Sequence, residues 1–214
     1  MFVKNAINNM EGDFMGIEYE VRLLDIDICK MVEKLKSLGA TLNGVYFQRR
    51  YVYDVVPPQK GRWIRLRTNG TKTTLTLKEI ISREIDGTSE VEISVSDFDD
   101  TNKLLNKLGF NPRSYQENFR IEYLLDGVMF DIDKWPKIPP HIEVEGKTKD
   151  DTFKALNLLD ITEDDVTSLG IDAIYSEIHG INLDDISSLV FSCEEVDSLK
   201  NVLQTYFPSF VKCI

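Results

Sequence analysis

The chain has 214 residues, of which 42% are hydrophobic and 29% charged, and its net charge at pH 7 is −11. This length and apolar content suit one or two globular domains with a sizeable core. The negative charge argues against a partner that is a long nucleic acid, and no apolar run approaches the ~20 residues of a membrane span.

Histidine and cysteine give no support for a zinc site. His141 and His179 are far apart, and no Cys-x-x-Cys motif occurs. The three scattered cysteines fit a reducing compartment better than a disulfide framework, so we expect a cytoplasmic protein. Residues 1–15 lack the apolar core of a signal peptide and are predicted to form an N-terminal tail.

The predicted elements begin with a strand at residues 17–24 and a helix at 28–38, which Gly39 ends. Further strands are predicted at residues 45–55, 63–68, 72–81, 90–95, 120–125, 128–133 and 142–145. A second helix is predicted at 99–108. The composition becomes helix-like from Lys147 onward, so we predict an α+β fold with a helical C-terminal extension at 147–214.

Two tight turns define the pairing of four strands. If Asn69-Gly70 is a two-residue loop, Arg67 lies opposite Lys72 and Arg65 opposite Thr74. This arrangement places Arg65 and Arg67 on the same face as Lys72, Thr76 and Lys78. In the second hairpin, Asp126-Gly127 places Arg120 opposite Asp133 and Glu122 opposite Asp131.

The turn at Asp86-Gly87 needs a different length. A two-residue loop would turn Glu90 and Glu92 away from Lys78. We therefore predict a loop of three or five residues, with Gly87 in the left-handed conformation, which restores the shared face.

Ionised side chains occupy one parity of six strands, and apolar side chains occupy the other. Glu-x-Glu pairs occur at Glu18/Glu20, Glu90/Glu92 and Glu143/Glu145, whereas bases collect at Arg65, Arg67, Lys78 and Arg120. An open sheet with a solvated face would also satisfy this pattern. It explains poorly why acids gather on some strands and bases on others, so we favour a curled sheet with its charged face inward.

A charged interior requires partners, because unpaired charges in a confined space are strongly unfavourable. Carboxylate clusters favour hard cations such as Mg²⁺ or Mn²⁺. Arginine and lysine favour phosphate oxygens. A metal-bound polyphosphate satisfies both groups of residues at once.

At this point the sequence resembles the CYTH, or triphosphate tunnel metalloenzyme, superfamily. The resemblance rests on Glu18-Tyr-Glu-Val-Arg22, Trp63-Ile-Arg-Leu-Arg67, Leu75-Thr-Leu-Lys78, Glu90-Val-Glu92, Arg120, Asp131-Ile-Asp133 and Ile142-Glu-Val-Glu145. It covers residues 16–146 and implies an eight-stranded antiparallel β-barrel, a tunnel with helices outside. Two departures are that Arg22 replaces the usual lysine and that the His-Phe pair of some cyclase-type members is absent.

The resemblance also implies the roles of the site residues. Metal ligands would be Glu18, Glu20, Glu90, Glu92, Asp133, Glu143 and Glu145. Phosphate-binding residues would be Arg22, Arg65, Arg67, Lys78 and Arg120. Glu18, Glu20, Lys78 and Arg120 would act in catalysis.

The charged tunnel leaves the reaction open. A triphosphatase would direct water at the terminal phosphate, whereas a class IV adenylyl cyclase would direct the ribose 3′-hydroxyl at the α-phosphate. Base stacking at the mouth could come from Tyr46, Tyr53, Trp63 or Trp135, although each is more commonly a core residue. A non-catalytic sensor of polyphosphate or nucleotide and a structural β-domain are the competing hypotheses.

The C-terminal extension carries no motif of the superfamily. It is predicted to pack on the barrel and either to close one tunnel mouth, to contact a second copy in a homodimer, or to buttress the sheet.

Overall fold

The computed structural model describes the backbone of residues 16–213 and the side chains of residues 19–210. The predicted tail at 1–15 and the side chain of Glu18 lie outside these described residues. Nine strands form one sheet. They are β1 (Gly16–Leu23), β2 (Thr41–Gln59), β3 (Arg62–Thr68), β4 (Thr73–Ile80), β5 (Thr88–Val95), β6 (Pro112–Leu125), β7 (Val128–Lys134), β8 (His141–Gly146) and β9 (Ser188–Leu189).

Eight of these strands close into an antiparallel barrel, which confirms the predicted fold. Their order is β2-β3-β4-β5-β1-β8-β7-β6, and β6 pairs again with β2. The strand β9 adds to β6 in parallel. β2 is longer than predicted because Thr41, Leu42 and Gly44 pair with β6 at one end, and Gln59 pairs with Arg62 of β3 at the other.

Five α-helices of the described part of the chain lie around the barrel. They are α1 (Ile28–Ser37), α2 (Phe98–Lys107), α3 (Lys149–Leu158), the short α4 (Ile171–Ala173), which continues into a π-helical turn at Ile174–Ile178, and α5 (Cys193–Tyr206). Asp27 caps the N-terminus of α1, where its side chain accepts a hydrogen bond from the Lys30 backbone N–H.

The apolar core lies outside the barrel, between the sheet and the helices. Val32 of α1, Leu156 of α3 and Leu203 of α5 pack with outward strand residues such as Ile121 and Phe130. A separate cluster lies under α2 and joins Phe98 and Leu105 to Tyr53 and Leu66. The apolar parity of each strand therefore faces the helices, and the charged parity is left for the interior. No helix in the described part of the chain is long and apolar enough to cross a membrane.

The register of the Asn69-Gly70 hairpin differs from the prediction by two residues. Arg67 pairs with Thr74 and Arg65 with Thr76, so the loop spans residues 69–72. The Asn69 Oδ1 atom accepts hydrogen bonds from the backbone N–H groups of Thr71 and Lys72 and thereby stabilises this four-residue loop. Since a shift of two residues preserves the face, the arginines still share it with Lys78.

The β4–β5 loop also differs in length from the prediction. Seven residues, 81–87, separate the paired Ile80 and Thr88. Gly87 is not in the left-handed region; it is required instead by close packing, because a Cβ atom there would lie 2.3 Å from the Ser82 carbonyl oxygen. An odd length preserves the predicted shared face, and Lys78 lies directly opposite Glu90.

Gly87→Ala is expected to destabilise the protein by about 1–3 kcal/mol, because the backbone of the loop must move to admit a methyl group. Gly170→Ala is the matched control, since a Cβ atom there has nothing within 4 Å. Urea unfolding of both variants measures the difference, and equal midpoints would contradict the packing argument.

Candidate active site

The interior of the barrel, the lumen, holds a cavity of about 1100 Å³. Its walls carry as many basic as acidic side chains, although the whole protein is strongly acidic. Most of these charged residues lie on the strands of the barrel. The predicted residues with described side chains that line this cavity are Glu20, Arg22, Arg65, Arg67, Lys78, Glu90, Glu92, Arg120, Asp133, Glu143 and Glu145.

Four arginines converge on one side of the lumen, and we call them the arginine cluster: Arg50, Arg65, Arg67 and Arg120. Arg50 of β2 is paired with Arg67 of β3 in the ladder. The pKa of Arg67 is lowered to about 9, first by burial and then by the charges of Arg65 and Arg120, against the opposing effect of Glu92. Arginine nevertheless keeps its proton at neutral pH. The repulsion therefore remains in the ligand-free protein and favours an anion.

Glu90 and Glu92 lie beside basic residues. Lys78 forms an ion pair with Glu90, and Arg65 lies 3.6 Å from Glu90 and 3.5 Å from Glu92. Arg67 lies 3.8 Å from Glu92. These two carboxylates therefore partly neutralise the basic side, and neither belongs to the groups of potential metal ligands among the described residues.

Three carboxylates of β1 and β8 form what we call the acid triad: Glu20, Glu143 and Glu145. Their oxygens lie within 4.8 Å of one another. Strand pairing explains this proximity, because Glu20 of β1 is opposite Glu145 of β8 and Arg22 is opposite Glu143. Glu143 also belongs to a second group of this size with Asp133 and His141. Oxygen donors at this separation fit Mg²⁺ or Mn²⁺.

Two arginines form ion pairs with members of the acid triad. Arg22 Nη2 lies 2.8 Å from Glu20 and 2.6 Å from Glu143. Arg120 lies 2.6 Å from Asp133 and 3.6 Å from Glu143. Burial by itself would raise the pKa of Glu143, but the guanidinium groups of Arg22 and Arg120 outweigh it and hold the pKa well below its usual range. Glu143 is therefore ionised and able to bind a cation at neutral pH.

Two residues of the site were missed by the sequence reasoning. Arg50 follows Arg49, so only the strand phase decides which of them points inward. His141 lies one residue before the predicted strand at 142–145, and its shared parity with Glu143 was the signal that could have found it. Burial lowers the pKa of His141 to about 4. Its imidazole is therefore neutral at physiological pH and able to donate a lone pair.

Most of the aromatic residues predicted to stack on a nucleotide base are not free to do so. Tyr53 is fully buried and donates a hydrogen bond to Asn102 Oδ1. Trp135 is buried and packs edge-on against Tyr175. Tyr46 is not among the residues that line the cavity, whereas Trp63 and Trp135 are.

Residues 167–189, which we call the mouth segment, cross the end of the barrel where β1 ends and β8 begins. Thr167 pairs with Arg22 through two backbone hydrogen bonds. Glu177 lies 2.7 Å from Arg83 of the β4–β5 loop. The Tyr175 hydroxyl donates to the Pro136 carbonyl oxygen at 2.5 Å. Of the three roles predicted for the extension, closure of one mouth has this structural support, and α5 also packs on the barrel.

A family model, the CYTH domain, matches residues 16–173. The chain belongs to the CYTH domain family. The match extends beyond residue 146 into the mouth segment, while the predicted boundary between barrel and extension stays a prediction. No curated protein sequence matches this CYTH chain.

Solved structures share the fold of this CYTH protein. A protein from Pyrococcus horikoshii OT3 has a TM-score of 0.63 and 24% identity, and the match covers 72% of this chain and 96% of that one. A candidate adenylate cyclase from Vibrio parahaemolyticus has a TM-score of 0.64 and 14% identity, with 76% and 99% covered. A candidate adenylyl cyclase from Hippeastrum, described as having a dominant triphosphatase activity, has a TM-score of 0.50 and 15% identity, with 78% and 97% covered.

Proposed function

We propose that this CYTH protein is a divalent-metal-dependent triphosphatase that hydrolyses the terminal phosphate of a small triphosphate. The observation that carries the proposal is the placement of the arginine cluster and the acid triad in one lumen. The like charges of the arginine cluster repel one another and are best reconciled by a polyanion. Three converging carboxylates are best reconciled by a cation. A metal-bound triphosphate supplies both the polyanion and the cation.

Arg65, Arg67, Lys78 and Arg120 would hold the phosphate oxygens in this proposal, and Glu20, Glu143 and Glu145 would hold Mg²⁺ or Mn²⁺. When bound, the cation supplies charge neutralisation and lowers the pKa of a coordinated water. Water attacks the terminal phosphorus, the bridging P–O bond breaks, and diphosphate leaves. A carboxylate of the acid triad is positioned to take the proton of the attacking water.

Hydrolysis is favoured over cyclisation because recognition of a base has little support in the lumen. Of the four aromatic residues considered for stacking, only Trp63 and Trp135 line the cavity. The Trp135 ring is buried and already lies against the Arg50 guanidinium group and the Tyr175 ring. The dominant triphosphatase activity attributed to the Hippeastrum neighbour accords with this choice.

The Glu18 assignment stays a prediction, as do the metal roles of Glu90 and Glu92 and the phosphate-binding role of Arg22.

The test is a product assay. The protein is incubated with tripolyphosphate, thiamine triphosphate or ATP in the presence of Mg²⁺ or Mn²⁺, and orthophosphate, pyrophosphate and cyclic AMP are resolved. We expect orthophosphate and the matching diphosphate, with no turnover in EDTA. If ATP instead gives cyclic AMP and pyrophosphate, the reaction is cyclisation and the proposed hydrolysis is wrong. Tight triphosphate binding with no product would identify a sensor instead.

A further inference from the structure

Arg50 is held rigidly on the lumen side of β2. Its side chain is buried, and its guanidinium group lies 4.4 Å from the centre of the Trp135 ring. Its Nη2 atom donates to Gln48 Oε1 at 3.2 Å and to Asn118 Oδ1. Trp135 is itself fixed by Tyr175 of the mouth segment. The guanidinium group is therefore positioned before any ligand arrives.

Arg50 differs from its buried neighbours in having no counter-ion. Arg22, Arg65 and Arg120 each have a carboxylate within 4.0 Å. Among the side chains of residues 19–210, Arg50 forms no ion pair, and its two hydrogen-bond acceptors are neutral amides. Its Nε atom is buried and has no hydrogen-bond partner in this part of the chain. A buried charge without compensation is unfavourable, so an external partner is required.

The neighbouring charges increase this requirement. Burial lowers the pKa of Arg50 well below its usual range, and the like charges of Arg67, Arg65 and Arg120 lower it further. Asp133 opposes them, but it is already engaged by Arg120 at 2.6 Å. Since arginine stays protonated, these interactions destabilise the ligand-free protein and are relieved by a bound anion.

We propose that Arg50 is a further substrate-binding residue that contacts the phosphate oxygens of the triphosphate and is a main determinant of its affinity. This inference rests on the proposed function, because it assigns a ligand to the same lumen. The guanidinium group keeps donors for a phosphate, because Nη2 alone of its nitrogens is engaged by other described residues, Gln48 and Asn118.

The experiment compares Arg50→Gln and Arg50→Lys with Arg49→Gln. Arg49 is the matched control, because it is the adjacent arginine, is exposed, and lies over the Phe98 ring outside the barrel at 5.0 Å. Calorimetric titration with tripolyphosphate in EDTA gives the dissociation constant without turnover. Thermal unfolding of the ligand-free proteins reports any structural contribution.

Arg50→Gln is expected to weaken tripolyphosphate binding about 10–100-fold. It should leave the unfolding temperature of the ligand-free protein unchanged or higher, because an uncompensated charge is removed. Arg50→Lys should bind with intermediate affinity, since it keeps the charge but loses the planar fork. Arg49→Gln should match the wild type in both measurements.

Two results would overturn the assignment while leaving the proposed function intact. One is wild-type affinity in Arg50→Gln. The other is a clear fall in the unfolding temperature that Arg50→Lys restores without restoring affinity, which would make Arg50 a structural residue. If the wild-type protein binds tripolyphosphate neither in EDTA nor with Mg²⁺, the proposed function fails and the role of Arg50 fails with it.

Discussion

Glu143→Gln is expected to reduce triphosphate hydrolysis by about 100-fold or more and to destabilise the fold at the same time. The loss of activity follows because Glu143 belongs to both groups of potential metal ligands. The loss of stability follows because Glu143 neutralises Arg22 at 2.6 Å and Arg120 at 3.6 Å in a buried position. Removal of one partner from a buried ion pair costs about 3–5 kcal/mol.

The stability change is expected near the lower end of that range. Arg22 retains Glu20, and Arg120 retains Asp133. Steady-state rates over a range of Mg²⁺ concentrations and urea unfolding measure the two effects. Glu117→Gln is the control, since it neutralises a carboxylate of β6 that accepts a hydrogen bond from the Tyr115 hydroxyl and does not line the cavity. Full activity of Glu143→Gln would rule out a metal site at the acid triad.

Tripolyphosphate is expected to raise the unfolding temperature of the wild-type protein by about 10 °C at a concentration near 1,000 times its dissociation constant. Such saturation contributes about 4 kcal/mol, and a protein of this size gains about 2–4 °C per kcal/mol. Repulsion within the arginine cluster destabilises the ligand-free protein, and the bound ligand relieves this repulsion.

Arg67→Gln should lose a large part of this ligand-dependent shift while the ligand-free protein stays as stable as the wild type. Its only ion pair among the described residues, with Glu92, is long at 3.8 Å, so little native stability is lost with the side chain. Lys103→Gln on the exposed face of α2 is the control and should keep the full shift. Differential scanning calorimetry with and without tripolyphosphate gives both values. An undiminished shift in Arg67→Gln would contradict its assignment to phosphate binding.

Local sequence determined which side chains face the lumen. Strict alternation along each strand placed Arg65, Arg67, Lys78, Arg120 and Glu143 on one parity, and the structure has them on the walls of the cavity. The Asp126-Gly127 turn is short enough to determine the register itself, so Arg120 lies opposite Asp133 as predicted. Parity depends on nearest neighbours along the chain and therefore needs no tertiary information.

Tertiary structure decided the register of the other hairpins and the identity of two site residues. The Asn69 side chain extended its turn by two residues, and the β4–β5 loop took seven. Both changes preserve parity, which is why the face predictions succeeded although the loop lengths were wrong. Arg50 could be separated from Arg49 only when β2 paired with β3 and β6 and thereby acquired an inside and an outside.

The chain by itself determined the chemistry of this protein, because a period-two pattern of acids and bases specifies a charged interior wherever the opposite face must be buried. The sequence did not determine that the sheet closes into a barrel. Three contacts join residues that are distant in sequence. They are the pairing of β2 with β6, the crossing of one barrel end by the mouth segment, and the contact of Arg50 with Trp135. Such contacts depend on the whole fold, since local propensity carries no information about which distant surfaces meet.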